Sequence, residues 1–339
     1  MTRISMTFDL PSLGWDEDFD SAYLRYRRPD HSPARVSRVD RGVCTTLGPD
    51  GTLRVSLGGP VLAAAAQDPL RLPCAGDWVV VRTWPDDRLT VEAVLPRRTA
   101  VVRAGAGRAP VPQVLAANVD TAAVVESVDP EPDLGRIERL VSLAFASGAR
   151  PRVVLTKVDL AADPDAIVDE IAAVAPAVDV VAVSAPTGVG LDRLRTWVGP
   201  GRTLGLLGAS GAGKSTLVNA LVGAPVMGVR GLRADGRGRH TTTHRALVPL
   251  PGGGAVLDTP GIRGVGMSDE SATGLRQAFA DIEALARSCR FDDCTHDREI
   301  GCAVSAAVAE GRITGRRLAS WRRLSGEIAR RLRRRTRAR

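Results

Sequence analysis

TLGLLGASGAGKSTLVNALVG, residues 203–223, decides the fold. An apolar run leads into Gly208-Ala209-Ser210-Gly211-Ala212-Gly213-Lys214-Ser215-Thr216, which satisfies GxxxxGK[ST] in full, and a helical stretch follows. Strand, glycine loop and helix are the setting that a phosphate-binding loop requires. The glycines let successive backbone N–H groups turn inward onto a phosphate, and the helix N-terminus adds a favourable field. Lys214 is expected to reach the β- and γ-oxygens, and Ser215 to offer its hydroxyl to Mg²⁺. The bland alternative is a glycine-rich turn ahead of a core helix, and correct flanks on both sides argue against it.

Outward from this loop, apolar strands at 121–127, 152–156, 178–184 and 203–208 alternate with helical stretches at 134–147, 164–175 and 190–198. This alternation marks βαβ units and a parallel sheet covered on both faces. Downstream, a further strand ends in Asp258-Thr259-Pro260-Gly261. The Asp258 carboxylate is placed to hold Mg²⁺ through water, and the Gly261 N–H to meet the γ-phosphate and sense its loss. Between the two motifs lies Gly238-Arg239-His240-Thr241-Thr242-Thr243-His244. A threonine here can complete the Mg²⁺ shell. Spacing leaves Thr241, Thr242 and Thr243 open, and Thr242 is the expectation.

Upstream, the strand at 152–156 runs into Thr156-Lys157-Val158-Asp159. This pattern is close to NKxD, whose Asp carboxylate accepts from the N1–H and 2-amino group of guanine. Adenine offers neither donor and would leave that carboxylate poorly paired, which makes the readout discriminating. The Lys157 stem can lie along the base. Ser184-Ala185, one strand later, suits a backbone N–H contact to the guanine 6-oxo group. Thr156 stands where the pattern has Asn, so a weaker tie between base loop and phosphate loop is expected. Of 46 Lys+Arg residues only two are lysine, Lys157 and Lys214, the two that guanine-nucleotide motifs need. A forked guanidinium does not replace a compact ammonium on a slim stem.

The flanks differ in texture. Residues 1–33 look like a loose, polar lead-in that turns acidic before any apolar stretch, unlike a secretory signal. From 34 to 103, short strand-like runs separated by turn residues suggest a small β-barrel, of OB or SH3-like type. Beyond residue 264, stretches 269–288 and 303–332 have helical period. Between them Cys289, Cys294, His296 and Cys302 form a full tetrahedral ligand set for one structural Zn²⁺. That ion is expected to staple helices that otherwise have little core. Cys44 and Cys74 read as small buried hydrophobes. The net charge of +8 and pI near 10.0 favour a polyanionic partner such as nucleic acid. No apolar run is long enough to span a membrane. A cytoplasmic monomer is expected.

The motif order, TKVD, SA, phosphate loop, threonine loop, DTPG, is rotated relative to ordinary GTPases. A sheet tolerates such a rotation when old termini join and a surface loop opens. Together with Gly76-Asp77, the stretch 113–120 and the cysteine cluster, these motifs resemble the circularly permuted, ribosome small-subunit-dependent GTPases of bacteria. The resemblance implies an OB-like barrel at 34–103, a permuted GTPase domain at 112–265 and a helical zinc domain at 266–329, with an Arg-rich tail at 330–339. It also implies GTP/GDP and Mg²⁺ as ligands, the small ribosomal subunit and its rRNA as partners, and a role in late maturation of that subunit. Where many GTPases orient water with Gln after DxxG, this chain has Ile262, which implies slow turnover unassisted. His240 is the candidate to position water.

Overall fold

The computed structural model describes residues 7–103, 111–176, 178–228, 246–259, 266–267 and 271–337. After a short helix, α1 (Glu17–Tyr23), five strands close into a barrel: β1 (His31–Asp40), β2 (Val43–Gly48), β3 (Gly51–Leu57), β4 (Trp78–Thr83) and β5 (Leu89–Val94). Their spatial order is β1-β2-β3-β5-β4, with β3 and β5 parallel and α2 (Gly59–Gln67) between β3 and β4. That Greek-key order is the OB arrangement. Alternate residues fill the interior, among them Val36, Val55, Val79, Val81, Val91 and Cys44. Burial drives the Cys44 thiol up to about 12, so it behaves as a small apolar side chain.

A two-stranded ribbon, β6 (Ala100–Arg103) and β7 (Gln113–Ala117), leads out of the barrel. The sequence reading did not separate β6 from the barrel strands. The central sheet then forms from β8 (Thr121–Ser127), β9 (Arg150–Thr156), β10 (Val180–Val183), β11 (Thr203–Gly208), β12 (Ala246–Pro249) and β13 (Ala255–Asp258). Its order is β10-β9-β8-β11-β13-β12, parallel except for β12 at the edge. The connections carry α3 (Leu134–Ala146), α4 (Pro164–Val174), α5 (Leu191–Arg195) and α6 (Lys214–Val222). Because side chains alternate across a strand, Ala122 and Val124 enter one core while Ala123 and Val125 enter another. The second core lies under α5 and α6, with Leu194, Leu217 and Leu221. The first is larger and reaches from Leu13 to Ile328.

That larger core corrects two expectations. The first is the lead-in, which from residue 7 onward is docked, not loose. Trp15, Phe19 and Tyr23 recur at helical spacing; Trp15 stacks on Phe19 at 5.9 Å and meets Trp78 edge-on at 4.9 Å. Asp16 caps α1 by accepting from the N–H groups of Asp18 and Phe19. Arg35, 1% exposed, locks the junction: its guanidinium donates to the carbonyls of Leu13, Asn118 (3.0 Å) and Gly76 (3.3 Å). Burial lowers its pKa to about 10 against the pull of Asp120 and Asp77. Gly76 has φ +93°, and a Cβ there would fall 2.1 Å from the Ala117 carbonyl oxygen, so no other residue allows this approach.

The second correction concerns the C-terminal helices: α7 (Ser271–Ala278), α8 (Ala280–Ala286), α9 (Ala303–Ala309) and α10 (Gly315–Arg337). The expected single stretch at 303–332 is two helices, broken where Gly311 takes φ +74°. No backbone break occurs at 330 either, since α10 continues through it. These helices do not lack a core. Phe279, Ile282, Val304, Leu318 and Leu324 join Ile137 and Leu140 of α3. α7 crosses α3 so closely that a Cβ on Gly274 would stand 2.1 Å from the Ser142 carbonyl oxygen. Buried Glu138 of α3 pairs with Arg316 at 2.8 Å and Arg317 at 3.0 Å, and Arg317 also holds Asp281 at 2.6 Å. Among the described residues, no helix is long and apolar enough to cross a membrane.

If the N-terminal segment is part of the core, Phe19→Ala should destabilise the protein by about 3 kcal/mol. Denaturant unfolding followed by tryptophan fluorescence would measure this. A cost under about 0.5 kcal/mol would return the segment to the status of a loose leader.

Candidate functional site

The parallel sheet brings the sequence motifs to one edge. β9, β10, β11 and β13 all end there, carrying TKVD, SA, the phosphate loop and Asp258-Thr259 respectively. This is the carboxyl end of the strands, where open α/β sheets bind ligands.

At the phosphate loop, β11 is wholly buried and α6 starts at Lys214. The Lys214 ammonium folds over its own loop and donates to the carbonyls of Gly208 (2.9 Å) and Ala209 (2.8 Å). Burial pulls its pKa below the ordinary lysine value, opposed by the carboxylates of Asp258 and Glu126. An anionic oxygen arriving at the loop would raise it again. Ser215 Oγ donates to Asp258 Oδ2 at 3.2 Å. This places a hydroxyl and a buried carboxylate together, both hard oxygen donors of the kind Mg²⁺ takes. The donor set fits that ion, which Ser215 and Asp258 would hold. Beside it, Thr259 Oγ1 donates to the Leu206 carbonyl at 2.6 Å and pins β13 to β11. Ser210, Gly211, Ala212, Gly213 and Thr216 complete the loop. His240, Thr242 and Gly261 lie outside the described residues.

At the base loop, Lys157 takes the left-handed conformation with φ 59°, and Val158 and Asp159 enter a short 3₁₀ turn. Val158 is buried and Asp159 exposed. Ser184 is buried at the end of β10, with its N–H bonded to the Val189 carbonyl at 3.0 Å and Ala185 beside it. Thr156, which stands where the pattern has Asn, does tie the base loop to the phosphate loop. Its hydroxyl donates to the Ala212 carbonyl of the phosphate loop at 2.8 Å, with the Glu126 carbonyl 3.2 Å away. A threonine hydroxyl reaches far enough because Ala212 lies directly against the end of β9.

The cysteine cluster is assembled as well. The donor atoms of Cys289, Cys294, His296 and Cys302 all lie within 4.8 Å of one another. Cys289 Sγ is 3.9 Å from Cys302 Sγ and 3.5 Å from His296 Nδ1. A tetrahedron with metal–sulfur arms of ~2.3 Å has edges of about 3.8 Å. The donors therefore fit a zinc ion, and all four positions are taken by protein. His296 is buried beside Trp321, its ring centroid 5.1 Å away.

Sequence reasoning missed a group behind the base loop. Buried Glu126, at the end of β8, holds Arg136 through two bonds, one of 2.9 Å, and Lys157 Nζ donates to the Asp129 carbonyl at 3.0 Å. One signal was available: a glutamate closing the otherwise apolar strand TAAVVES.

Two measurements check these geometries. Thr156→Val removes the bridging hydroxyl at nearly constant volume and should weaken GDP binding about tenfold, read by calorimetry. Unchanged affinity would mean the tie carries nothing. The purified chain should hold one equivalent of zinc, and Cys302→Ser should lower that content. Because α10 is docked by its own core, the local loss should appear as faster hydrogen exchange between Cys289 and Cys302 while far-UV circular dichroism stays near wild type.

Comparison with known proteins gives a consistent picture. The family model described as RsgA GTPase matches residues 94–268. A Streptomyces coelicolor protein named small ribosomal subunit biogenesis GTPase RsgA is 49% identical over 94% of this chain and 86% of its own. An Opitutus terrae protein of the same name is 42% identical over 94% of this chain and 90% of its own. Among solved structures, YjeQ from Thermotoga maritima superposes with a TM-score of 0.62 at 26% identity, covering 89% of this chain and 99% of that one. YloQ, described as a circularly permuted GTPase, gives a TM-score of 0.59 at 24% identity and supports the fold. With the family model matching just over half of the chain and relatives aligned over most of their length, the chain belongs to the RsgA GTPase family.

Proposed function

We propose that this chain hydrolyses GTP during late maturation of the small (30S) ribosomal subunit, binds the rRNA of that subunit, and leaves it after hydrolysis. The observation that carries the reading is the Thr156–Ala212 hydrogen bond of 2.8 Å, which joins a guanine-type motif to a phosphate loop at one sheet edge. A single nucleotide is the ligand such an arrangement serves. The relatives' names supply the assembly on which it acts, and the net charge of +8 suits an RNA partner.

In this reading, Thr156, Lys157, Val158, Asp159, Ser184 and Ala185 hold the guanine base. The loop from Gly208 to Thr216 wraps the phosphates. Lys214 offsets the charge on the β- and γ-oxygens, while Ser215, Asp258 and Thr242 hold Mg²⁺, which lowers the charge that builds on the phosphates. Gly261 meets the γ-phosphate. Ile262 carries no group that orients water, so His240 or a group from the subunit does so. The chain acts as a cytoplasmic monomer, with one structural zinc on Cys289, Cys294, His296 and Cys302.

GTP turnover should be slow for the protein alone and rise at least about tenfold when purified small subunits are added, as expected when a partner completes a site. Phosphate release with and without subunits measures it. Equal rates would sink the proposed partner while leaving nucleotide binding intact.

A further inference from the structure

Residues 126–133 link the end of β8 to the start of α3 and contain none of the nucleotide motifs. Yet they are bonded to the base loop at every turn. The Val128 N–H donates to the Thr156 carbonyl at 3.1 Å. The Glu126 carbonyl lies 3.2 Å from Thr156 Oγ1. The Asp129 carbonyl accepts from Lys157 Nζ at 3.0 Å. This last carbonyl is itself held in place. Ser127 Oγ donates to it and accepts from the Asp129 N–H at 3.2 Å, closing a small turn. The far end of the segment is fixed by Arg136, which spans buried Glu126 and Asp133. Asp133 in turn caps α3.

We infer that Ser127 and Arg136 are positioning residues for guanine-nucleotide binding, acting through the Asp129 carbonyl to hold Lys157 stretched along the base. The inference rests on the guanine reading above and names how that site is kept in shape. Lysine has a long flexible stem, and ordering it at the moment of binding would subtract from affinity. Tethering its ammonium beforehand moves that cost into folding. The left-handed backbone at Lys157 points the same way, since a residue with a Cβ occupies that region only where its surroundings hold it there.

The chemistry separates this role from edge readout. The Lys157 stem touches the flat face common to all purines, whereas Asp159 reads the N1–H and the 2-amino group. Loosening Lys157 should therefore weaken guanosine and inosine nucleotides by the same factor. Damage to the Asp159 contact should weaken guanosine more, because inosine lacks the 2-amino donor.

The test measures GDP and IDP affinity by calorimetry on the full chain, together with GTP turnover in the presence of small subunits. Ser127→Ala should raise both dissociation constants about tenfold, leaving their ratio unchanged. KM for GTP should rise with them while kcat stays within about twofold. Arg136→Met should act in the same direction where circular dichroism shows the variant folded, and Ser127→Thr, which keeps the hydroxyl, should restore binding. Unchanged affinity in folded Ser127→Ala and Arg136→Met overturns the inference. So does a selective loss of GDP over IDP, which would place the effect on Asp159. A wild-type chain that binds no guanine nucleotide would instead sink the functional reading itself.

Discussion

The nucleotide site depends on a hydroxyl. Thr156 ends β9, Ala212 lies in the loop after β11, and β8 runs between those two strands. Backbone pairing sets the strands at a spacing of ~4.8 Å but leaves the loops beyond their ends free to drift. Thr156 Oγ1, donating to the Ala212 carbonyl, removes that freedom where base recognition must meet phosphate recognition. The bond is buried, so breaking it would strand a carbonyl away from water.

That constraint explains why the rotated motif order is harmless. In this chain β9 and β10, which lead into TKVD and SA, precede β11, which leads into the phosphate loop, yet the sheet order still places their carboxyl ends at one edge. What the rotation changes is the company the site keeps. β13 is followed directly by α7–α10, and these pack on α3, the helix that begins just behind the base loop. The joint is ionic as well as apolar. Arg317, 3% exposed, donates to Glu138, Asp281 and the carbonyls of Val174 and Ala278, and so binds α3, α4, α7, α8 and α10 at one point. Apolar packing of equal volume would be at least as stable, whereas loss of one charged partner would cost about 3–5 kcal/mol. Such a joint fixes geometry more than it adds stability, and it ties the helices that flank the cysteine cluster to α3.

Legibility followed physical range. The strands β8, β9 and β11 could be read because each is a continuous apolar run buried on both faces. The cysteine–histidine cluster could be read because three thiols and an imidazole fall close together in the chain. The lead-in was misread because its overall polarity masked a stripe, Trp15, Phe19 and Tyr23, that only helical phasing against Trp78 makes meaningful. β12 and the β6–β7 ribbon are short and lack a distinctive pattern. The tie that Thr156 makes depends on its distance to Ala212, 2.8 Å, which residue type alone does not give. Ser127 and Asp129 left no trace, because a bond to a backbone carbonyl imposes almost nothing on the sequence that supplies it.

The two lysines draw these strands together. A guanidinium presents five N–H donors in a rigid fork, and a buried one must satisfy most of them. Arg35 and Arg317 do so only because several carbonyls or carboxylates converge on each. Around Lys214 the partners are two carbonyls of its own loop, Gly208 and Ala209. Around Lys157 the partner is the Asp129 carbonyl. An arginine at either place would bring more donors than the site can accept, and its planar head would occupy the space in which the phosphate or the base must lie. A chain that uses arginine for nearly every other cation therefore keeps lysine at these two positions because their surroundings admit a slim ammonium and exclude a fork.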